Sequence, residues 1–348
     1  FIIAIGIVAT VHEFSHGIFA RHYGIKIKST GFAFLKYFPA IFGAFVEQDD
    51  RQMKRKKKTE QMAILSAGVF ANIIITLLFF LLLIGFFSLA YTPAGVRFDS
   101  YSYWVVSISS ILAVNGQEIS NPTYGGVLDS LKENELNTIQ TEENKYVLTK
   151  EFFKSQEEKE GKIILYENSP AVNANLGSVI QEINGVKITS IEKLTQELMK
   201  YKPGDKIKIK TIKENGVIED EIVLAENPND NEKAFLGIGF FSKDNSKLIS
   251  KFYIFVSSFK GENVYYEPKY EMSIFIYDLI WWVIIINLLV ALFNMLPFGF
   301  LDGGRFFYLT ILGVTKSKKV AERAFAGITY FLFFLLIVLM VKWIFTFF

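Results

Sequence analysis

The chain has 348 residues, of which 51% are hydrophobic and 21% are charged. It is too apolar for an average soluble protein and too charged for membrane helices alone, so its composition predicts membrane segments joined to a soluble part. The complete lack of cysteine excludes disulfides, cysteine-ligated zinc and thiol catalysis, and the net charge of +2 indicates no class of partner.

The chain begins with an apolar run, residues 1–20, that predicts a first membrane span and contains the motif H-E-x-x-H. On a helix, His12 and His16 stand one turn apart on the same face, where both imidazoles reach one Zn²⁺. Glu13 can then act as a general base toward a water molecule. Ionisable groups at membrane depth are costly, so they indicate a functional site.

The next segment, residues 21–61, divides into an aromatic part and a basic part. The aromatic part alternates in polarity and contains Pro39 and Gly43 as breakers, so it predicts a hairpin of strands around Phe32–Phe45 that dips toward the membrane. Such a hairpin could pair with an unwound substrate. The basic run from Arg51 to Lys58 predicts a solvated cytoplasmic loop, and a loop this short between two spans is not expected to bind nucleic acid.

Three further spans are predicted at about 62–90, 274–295 and 325–348, each near the roughly 20 residues that a bilayer requires. The distribution of charge predicts their orientation. Residues 21–60 carry ten Lys or Arg and four Asp or Glu, whereas residues 92–270 carry 21 and 26. We therefore expect the catalytic motif on the cytoplasmic side and residues 92–270 outside the cell membrane.

The outer block is long enough for one or two domains. Residues 161–242 alternate strand-like and amphipathic helical segments, and we interpret residues 92–160 as an insertion or a partial second unit, with 243–272 as a connector. Residues 111–120 and 180–189 echo each other around an Asn-Gly pair. Asn-Gly hairpins recur often, so a repeated module and chance recurrence both stay open.

A catalytic zinc needs a third protein ligand and an open position for water. Asp302 is the strongest candidate, because it follows the cytoplasmic end of the third predicted span, among glycines and Pro297 that break the helix. Glu47, Glu271 and Asp278 are weaker alternatives.

Two asparagines could act beside such a site. Asn72 and Asn294 could hold the substrate backbone or an oxyanion, or they could form ordinary hydrogen bonds between membrane helices.

The pair of motifs, HEFSH at 12–16 and NMLPFGFLDG at 294–303, resembles the signature of the site-2 protease family of intramembrane zinc metalloproteases. The match extends to GAFVEQD at 43–49 and SAGVFAN at 66–72. The resemblance implies a three-helix catalytic core, zinc held by two histidines and the aspartate, and hydrolysis of peptide bonds near the bilayer. It also implies a transmembrane protein substrate that an upstream site-1-type protease has already trimmed.

The outer block resembles a PDZ-like domain in SPAVNANL at 169–176, VIQEING at 179–185 and KPGD at 202–205, although the segment before Val179 is shortened. The predicted fold is a multi-pass α-helical membrane protein with an inserted extracytoplasmic α+β PDZ-like domain. Its membrane halves are 1–91 and 273–348. The alternative function is a catalytically silent membrane adaptor that binds peptides through the PDZ-like domain.

Overall fold

The computed structural model describes residues 1–35, 38–142, 144–156, 161–213, 216–228, 230–241 and 247–347. The chain forms two compact units. One consists of Phe1–Ala90 and Pro268–Phe348, and the other is Tyr91–Glu267.

The helices in chain order are α1 (Ile2–His22), α2 (Asp50–Arg55), α3 (Lys58–Ala90), α4 (Tyr124–Ser130), α5 (Lys150–Lys154), α6 (Pro170–Asn173), α7 (Ile191–Leu198), α8 (Leu248–Ser257), α9 (Ser273–Asn294), α10 (Asp302–Thr315) and α11 (Lys318–Phe347). The strands are β1 (Ile27–Leu35), β2 (Phe38–Gln48), β3 (Tyr91–Arg97), β4 (Ser100–Tyr101), β5 (Tyr103–Ser107), β6 (Ile111–Val114), β7 (Gln117–Glu118), β8 (Leu136–Thr141), β9 (Lys145–Thr149), β10 (Lys162–Glu167), β11 (Val179–Ile183), β12 (Val186–Lys187), β13 (Lys206–Lys213), β14 (Gly216–Val223), β15 (Ala225–Asn227), β16 (Asp230–Phe235), β17 (Ile238–Gly239) and β18 (Val264–Pro268).

Among the described residues, four helices, α1, α3, α9 and α11, are long and apolar enough to cross a membrane, which confirms the four predicted spans. Helix α3 has 33 residues and so is about 50 Å long, more than the roughly 30 Å of a hydrocarbon core. Leucines of this helix such as Leu77 and Leu81 are 61% and 67% accessible, as expected of side chains that face lipid in a membrane. Helices α3 and α11 begin at Lys58 and Lys318, earlier than predicted, since their charged first turns extend past the apolar run.

Helix α1 lies at the centre of the membrane unit, where it packs against α3, α9 and strand β2. Strands β1 and β2 form an antiparallel hairpin with Thr30 opposite Val46, which confirms the predicted pair of strands. Residues 36–37 of that hairpin lie outside the described residues. The hairpin therefore stands directly beside the helix that carries the histidine motif.

The helical structure breaks after α9, and this break places Asp302, which is distant in sequence, near helix α1. Helix α9 ends at Asn294, and α10 begins at Asp302 after a short connection that contains Pro297. The first turn of α10 packs so closely on this connection that a Cβ added to Gly303 or Gly304 would overlap backbone atoms. Only glycine permits this close approach.

The second unit contains two six-stranded sheets. The first has the order β5-β10-β9-β8-β6-β7, and the second has the path β14-β13-β11-β3-β18 with β12 paired to β11. Each sheet has a separate buried cluster of aliphatic and aromatic side chains. The unit is therefore an α+β body with two cores.

Each of these sheets contains one of the two Asn-Gly hairpins noted in the sequence. Strands β6 and β7 pair around Asn115 and Gly116, and β11 and β12 pair around Asn184 and Gly185. All four turn residues have positive φ between 46° and 80°. Two positive φ angles define the type I′ turn, which explains why Asn-Gly occurs at both places.

Candidate metal centre

Helix α1 presents two imidazoles to one point. His12 and His16 lie four residues apart, so their side chains share a face, and their ring centroids are 4.7 Å apart. Their Nε2 atoms are separated by 3.1 Å. His12 is only 6% exposed, which keeps this face of the helix away from lipid and water.

Asp302 completes a group of three. Its Oδ2 atom lies 3.3 Å from His12 Nε2 and 3.1 Å from His16 Nε2. The potential ligand atoms of these three residues all lie within 4.8 Å of one another. Asp302 is the first residue of α10, where a carboxylate is also favoured by the positive end of the helix dipole.

The donor set fits a zinc ion. Zinc bonds of about 2.0–2.1 Å place neighbouring ligands of a tetrahedron about 3.3 Å apart, close to the separations seen here. His16 Nδ1 lies 2.7 Å from the carbonyl oxygen of Ile64, which can only accept a hydrogen bond. The proton of a neutral His16 is therefore on Nδ1, and its Nε2 lone pair faces the other two groups.

Metal binding requires the ionised form of Asp302. Burial raises the pKa of this carboxyl group, but the adjacent imidazoles of His12 and His16 outweigh burial and hold its pKa below its ordinary range.

Glu13 points toward the hairpin rather than into the group of three. Its Oε2 atom accepts a hydrogen bond of 3.2 Å from the backbone N–H of Val46 on β2. Strand β2 thus fixes the orientation of the glutamate, which belongs to the same turn of helix as His12. The motif predicts the glutamate, whereas no signal in the sequence identifies Val46 as its partner.

Both candidate asparagines contact His12, each at a different nitrogen of its ring. Asn294 Nδ2 lies 3.2 Å from Nε2, the nitrogen that faces His16 and Asp302. Asn72 Nδ2 lies 3.2 Å from the other nitrogen, Nδ1. The two residues therefore have different surroundings, which the sequence did not distinguish.

The weaker carboxylate candidates are not part of this group. Glu47 is exposed and interacts with Ser29 and Lys28, and these hydrogen bonds lower the pKa of its carboxyl group. In the part of the chain that the structure describes, neither Glu271 nor Asp278 lies in the group formed by His12, His16 and Asp302.

The sequence analysis included Gly68 in the SAGVFAN segment but assigned it no role at the site. A Cβ on this residue would lie 2.5 Å from His16 Nε2 and 2.7 Å from His12 Cε1. The available signal is its position four residues before Asn72, which puts both on one face of α3.

Comparison with known proteins agrees with this centre. The model of peptidase family M50 matches residues 1–339. An uncharacterized protein of Methanocaldococcus jannaschii is 30% identical over 302 residues, which are 87% of this chain and 54% of that protein. Zinc metalloprotease RasP of Shouchella clausii is 26% identical over 206 residues, which are 51% of this chain and 49% of that protein.

The chain spans about half the length of the curated relatives it matches. The family match nevertheless includes residues of all four candidate membrane helices and the whole of the unit Tyr91–Glu267. It includes the two motifs that contribute His12, His16 and Asp302. The chain therefore belongs to peptidase family M50, the site-2 protease family of zinc metalloproteases of the membrane.

Proposed function

We propose that the chain is a zinc metalloendopeptidase that hydrolyses peptide bonds of membrane-spanning proteins. The observation that carries this proposal is the convergence of His12, His16 and Asp302 on one point, with Glu13 on the same helix turn. We assign the first three residues as metal ligands and Glu13 as the general base. These are all the protein groups that a hydrolytic zinc site of this type requires.

A bound zinc ion would polarise the scissile carbonyl and make a water molecule acidic at neutral pH. Glu13 takes a proton from the attacking water and later gives it to the leaving amine. The Val46 N–H occupies one of its carboxylate oxygens, so the other oxygen is the one that carries the proton. Asn294, whose amide lies beside His12 Nε2, is the candidate donor to the developing oxyanion.

The substrate must be extended where it is cut. A helical transmembrane segment hides its amides in internal hydrogen bonds, so it has to unwind before hydrolysis. The β1–β2 hairpin packs against α1 and binds Glu13 through Val46, so it offers strand edges beside the catalytic groups. We propose that the unwound substrate pairs with this hairpin, as extended peptides pair with exposed sheet edges.

We propose that the catalytic groups lie toward the cytoplasmic side, because the basic segment 21–60 is next to them in the chain. The acidic unit Tyr91–Glu267 then lies outside, as a PDZ-like part. We propose that an upstream site-1-type protease trims the substrate first. The outer unit then rejects substrates that still carry a large domain.

The silent adaptor is the competing hypothesis. An adaptor needs neither a converging metal group nor an oriented glutamate, so nothing about the centre favours it. A peptide-binding role of the outer unit is compatible with either hypothesis.

The test compares wild type with Glu13→Gln in liposomes that contain a panel of fluorogenic transmembrane peptides. We expect about one zinc per chain in both proteins, because Glu13 is not a ligand. Cleavage should fall by about 10²- to 10⁴-fold in the variant, the usual contribution of a general base. Wild-type protein that contains zinc and cleaves none of the peptides, or a variant as active as wild type, would contradict the proposal.

A further inference from the structure

One face of α3 lies against the two histidines of the metal centre. Ile64, Gly68 and Asn72 follow one another at intervals of four residues, so they line a single stripe of the helix. Each of the three lies against a histidine. The Ile64 carbonyl lies 2.7 Å from His16 Nδ1, Gly68 lies under both rings, and the Asn72 amide lies 3.2 Å from His12 Nδ1.

The two ring nitrogens that are within hydrogen-bond distance of polar atoms of α3 are the ones that do not contact Asp302. For His16 the assignment follows directly, because a carbonyl oxygen can only accept and Nδ1 must therefore donate. For His12 the partner is an amide, which offers either a donor or an acceptor. The protonation of His12 therefore depends on which amide atom of Asn72 faces the ring.

The hydrogen bonds of Asn72 do not by themselves decide between the two orientations. The residue is completely buried and its Oδ1 has no hydrogen-bond partner among the described residues, so either orientation leaves one amide atom unpaired there. The choice depends on His12, whose Nε2 faces His16 and Asp302 and needs its lone pair to bind a metal. With Nδ2 donating to His12 Nδ1, the ring proton would be on Nε2, where it would point at His16 and Asp302. A rotation of the amide by 180° exchanges its oxygen and nitrogen, which have nearly the same shape.

After this rotation Oδ1 accepts the proton of His12 Nδ1, and the Nε2 lone pair is available to a metal. Histidines that bind metals generally donate their second N–H to an oxygen in this way, which fixes the tautomer and the ring orientation. The stripe on α3 then supplies one oxygen to each histidine, from Ile64 and from Asn72. Gly68 between them lets the helix backbone approach both rings.

We propose that Asn72 is a positioning residue that holds His12 in the tautomer protonated at Nδ1, through its side-chain oxygen. The proposal rests on the function proposed above, since it concerns the same metal centre. It differs from an oxyanion or substrate role for Asn72. That role requires the Nε2 side of His12, where Asn294 lies, whereas Asn72 is buried on the opposite side.

The test measures zinc affinity of the detergent-purified full chain by competition with a chelator. In Asn72→Leu, a side chain of similar size has no hydrogen-bonding atom, and we expect affinity to fall by about 10- to 100-fold. In Asn72→Asp, a carboxylate oxygen again accepts from Nδ1–H, so affinity should stay within about threefold of wild type. The matched control is Asn287→Leu, a completely buried asparagine of α9 whose amide donates to its own helix at Val283.

Three results together support the proposal: weak binding in Asn72→Leu, recovery in Asn72→Asp, and wild-type binding in Asn287→Leu. Wild-type affinity in Asn72→Leu would overturn it, and so would a loss of affinity in Asn72→Asp equal to that in Asn72→Leu. Both variants are compared at equal monodispersity and helix content. Failure of the proposed function itself is distinguishable, because it appears as wild-type protein that binds no zinc, or that binds zinc and cleaves none of the peptides.

Discussion

Replacement of Gly68 by alanine tests the geometry of the metal centre with a single methyl group. The added Cβ would lie 2.5 Å from His16 Nε2 and 2.7 Å from His12 Cε1. Ordinary contacts between such atoms are about 3.5 Å or longer, so α3 or the two rings must move by roughly 1 Å. Metal sites tolerate ligand displacements of only about 0.2 Å, so the substitution affects zinc binding before it affects the fold.

The expected loss follows from the cost of overpacking. An extra methyl group in a packed core costs about 1–3 kcal/mol. Each 1.4 kcal/mol is a factor of ten in affinity, so zinc should bind about 5- to 150-fold more weakly if the whole cost falls on the bound state. The matched control is Gly85→Ala in the same helix, because a Cβ there meets no atom within 4 Å. That change should leave zinc affinity unaltered and favour the helix slightly.

The assay is chelator competition on purified protein, accompanied by a thermal melt of each variant. Equal zinc affinity in Gly68→Ala and Gly85→Ala would refute the reasoning, since it would mean that α3 does not confine the two imidazoles.

Two other substitutions address different parts of the molecule. Phe153→Ala removes a completely buried ring from the core of the first sheet. We expect the free energy of unfolding of the unit Tyr91–Glu267 to fall by about 3–5 kcal/mol. Calorimetry should detect this, and an unchanged transition would contradict the observed packing. Asn294→Ala should leave zinc content intact and reduce kcat by about 10²- to 10³-fold, as loss of one oxyanion donor does. If zinc is lost instead, Asn294 supports the ligands and does not act on the substrate.

The three candidate ligands could be predicted from the sequence, because short motifs contribute them. The spacing of His12 and His16 fixes their common face in any α-helix. Asp302 could be inferred because so few carboxylates occur outside the basic loop and the outer block. The structure brings these three residues together as predicted.

The surroundings of the ligands could not be predicted, because they depend on contacts between elements. Gly68 is visible as a glycine, but its role depends on which side chains pack against it. The Ile64 carbonyl acts through the backbone, so the identity of its residue does not reveal the contact. The contact between Glu13 and the Val46 N–H is of the same kind. The sequence identifies Asn72 as a polar residue within a predicted span. Its contact with His12 Nδ1 depends on how α1 and α3 pack together, which the sequence pattern does not specify.

The strand order of the unit Tyr91–Glu267 could not be predicted from sequence patterns either. Strands β3 and β18 are neighbours in one sheet although they come from the two ends of the unit. Alternating polarity predicts that each segment is a strand, but it does not specify a partner so far along the chain. The Asn-Gly hairpins were predictable because the turn itself determines which strands pair.

The central claim is that His12, His16 and Asp302 hold one zinc ion. Its most direct test is the zinc content of the detergent-purified chain, with Asp302→Asn beside wild type and Asp278→Asn as a carboxylate control from α9. We predict about one zinc per chain in wild type and in Asp278→Asn, and clear loss in Asp302→Asn, because two histidines alone do not complete a zinc site. Wild-type protein that stays empty in the presence of zinc would contradict the account, and full retention by Asp302→Asn would show that Asp302 is not the third ligand.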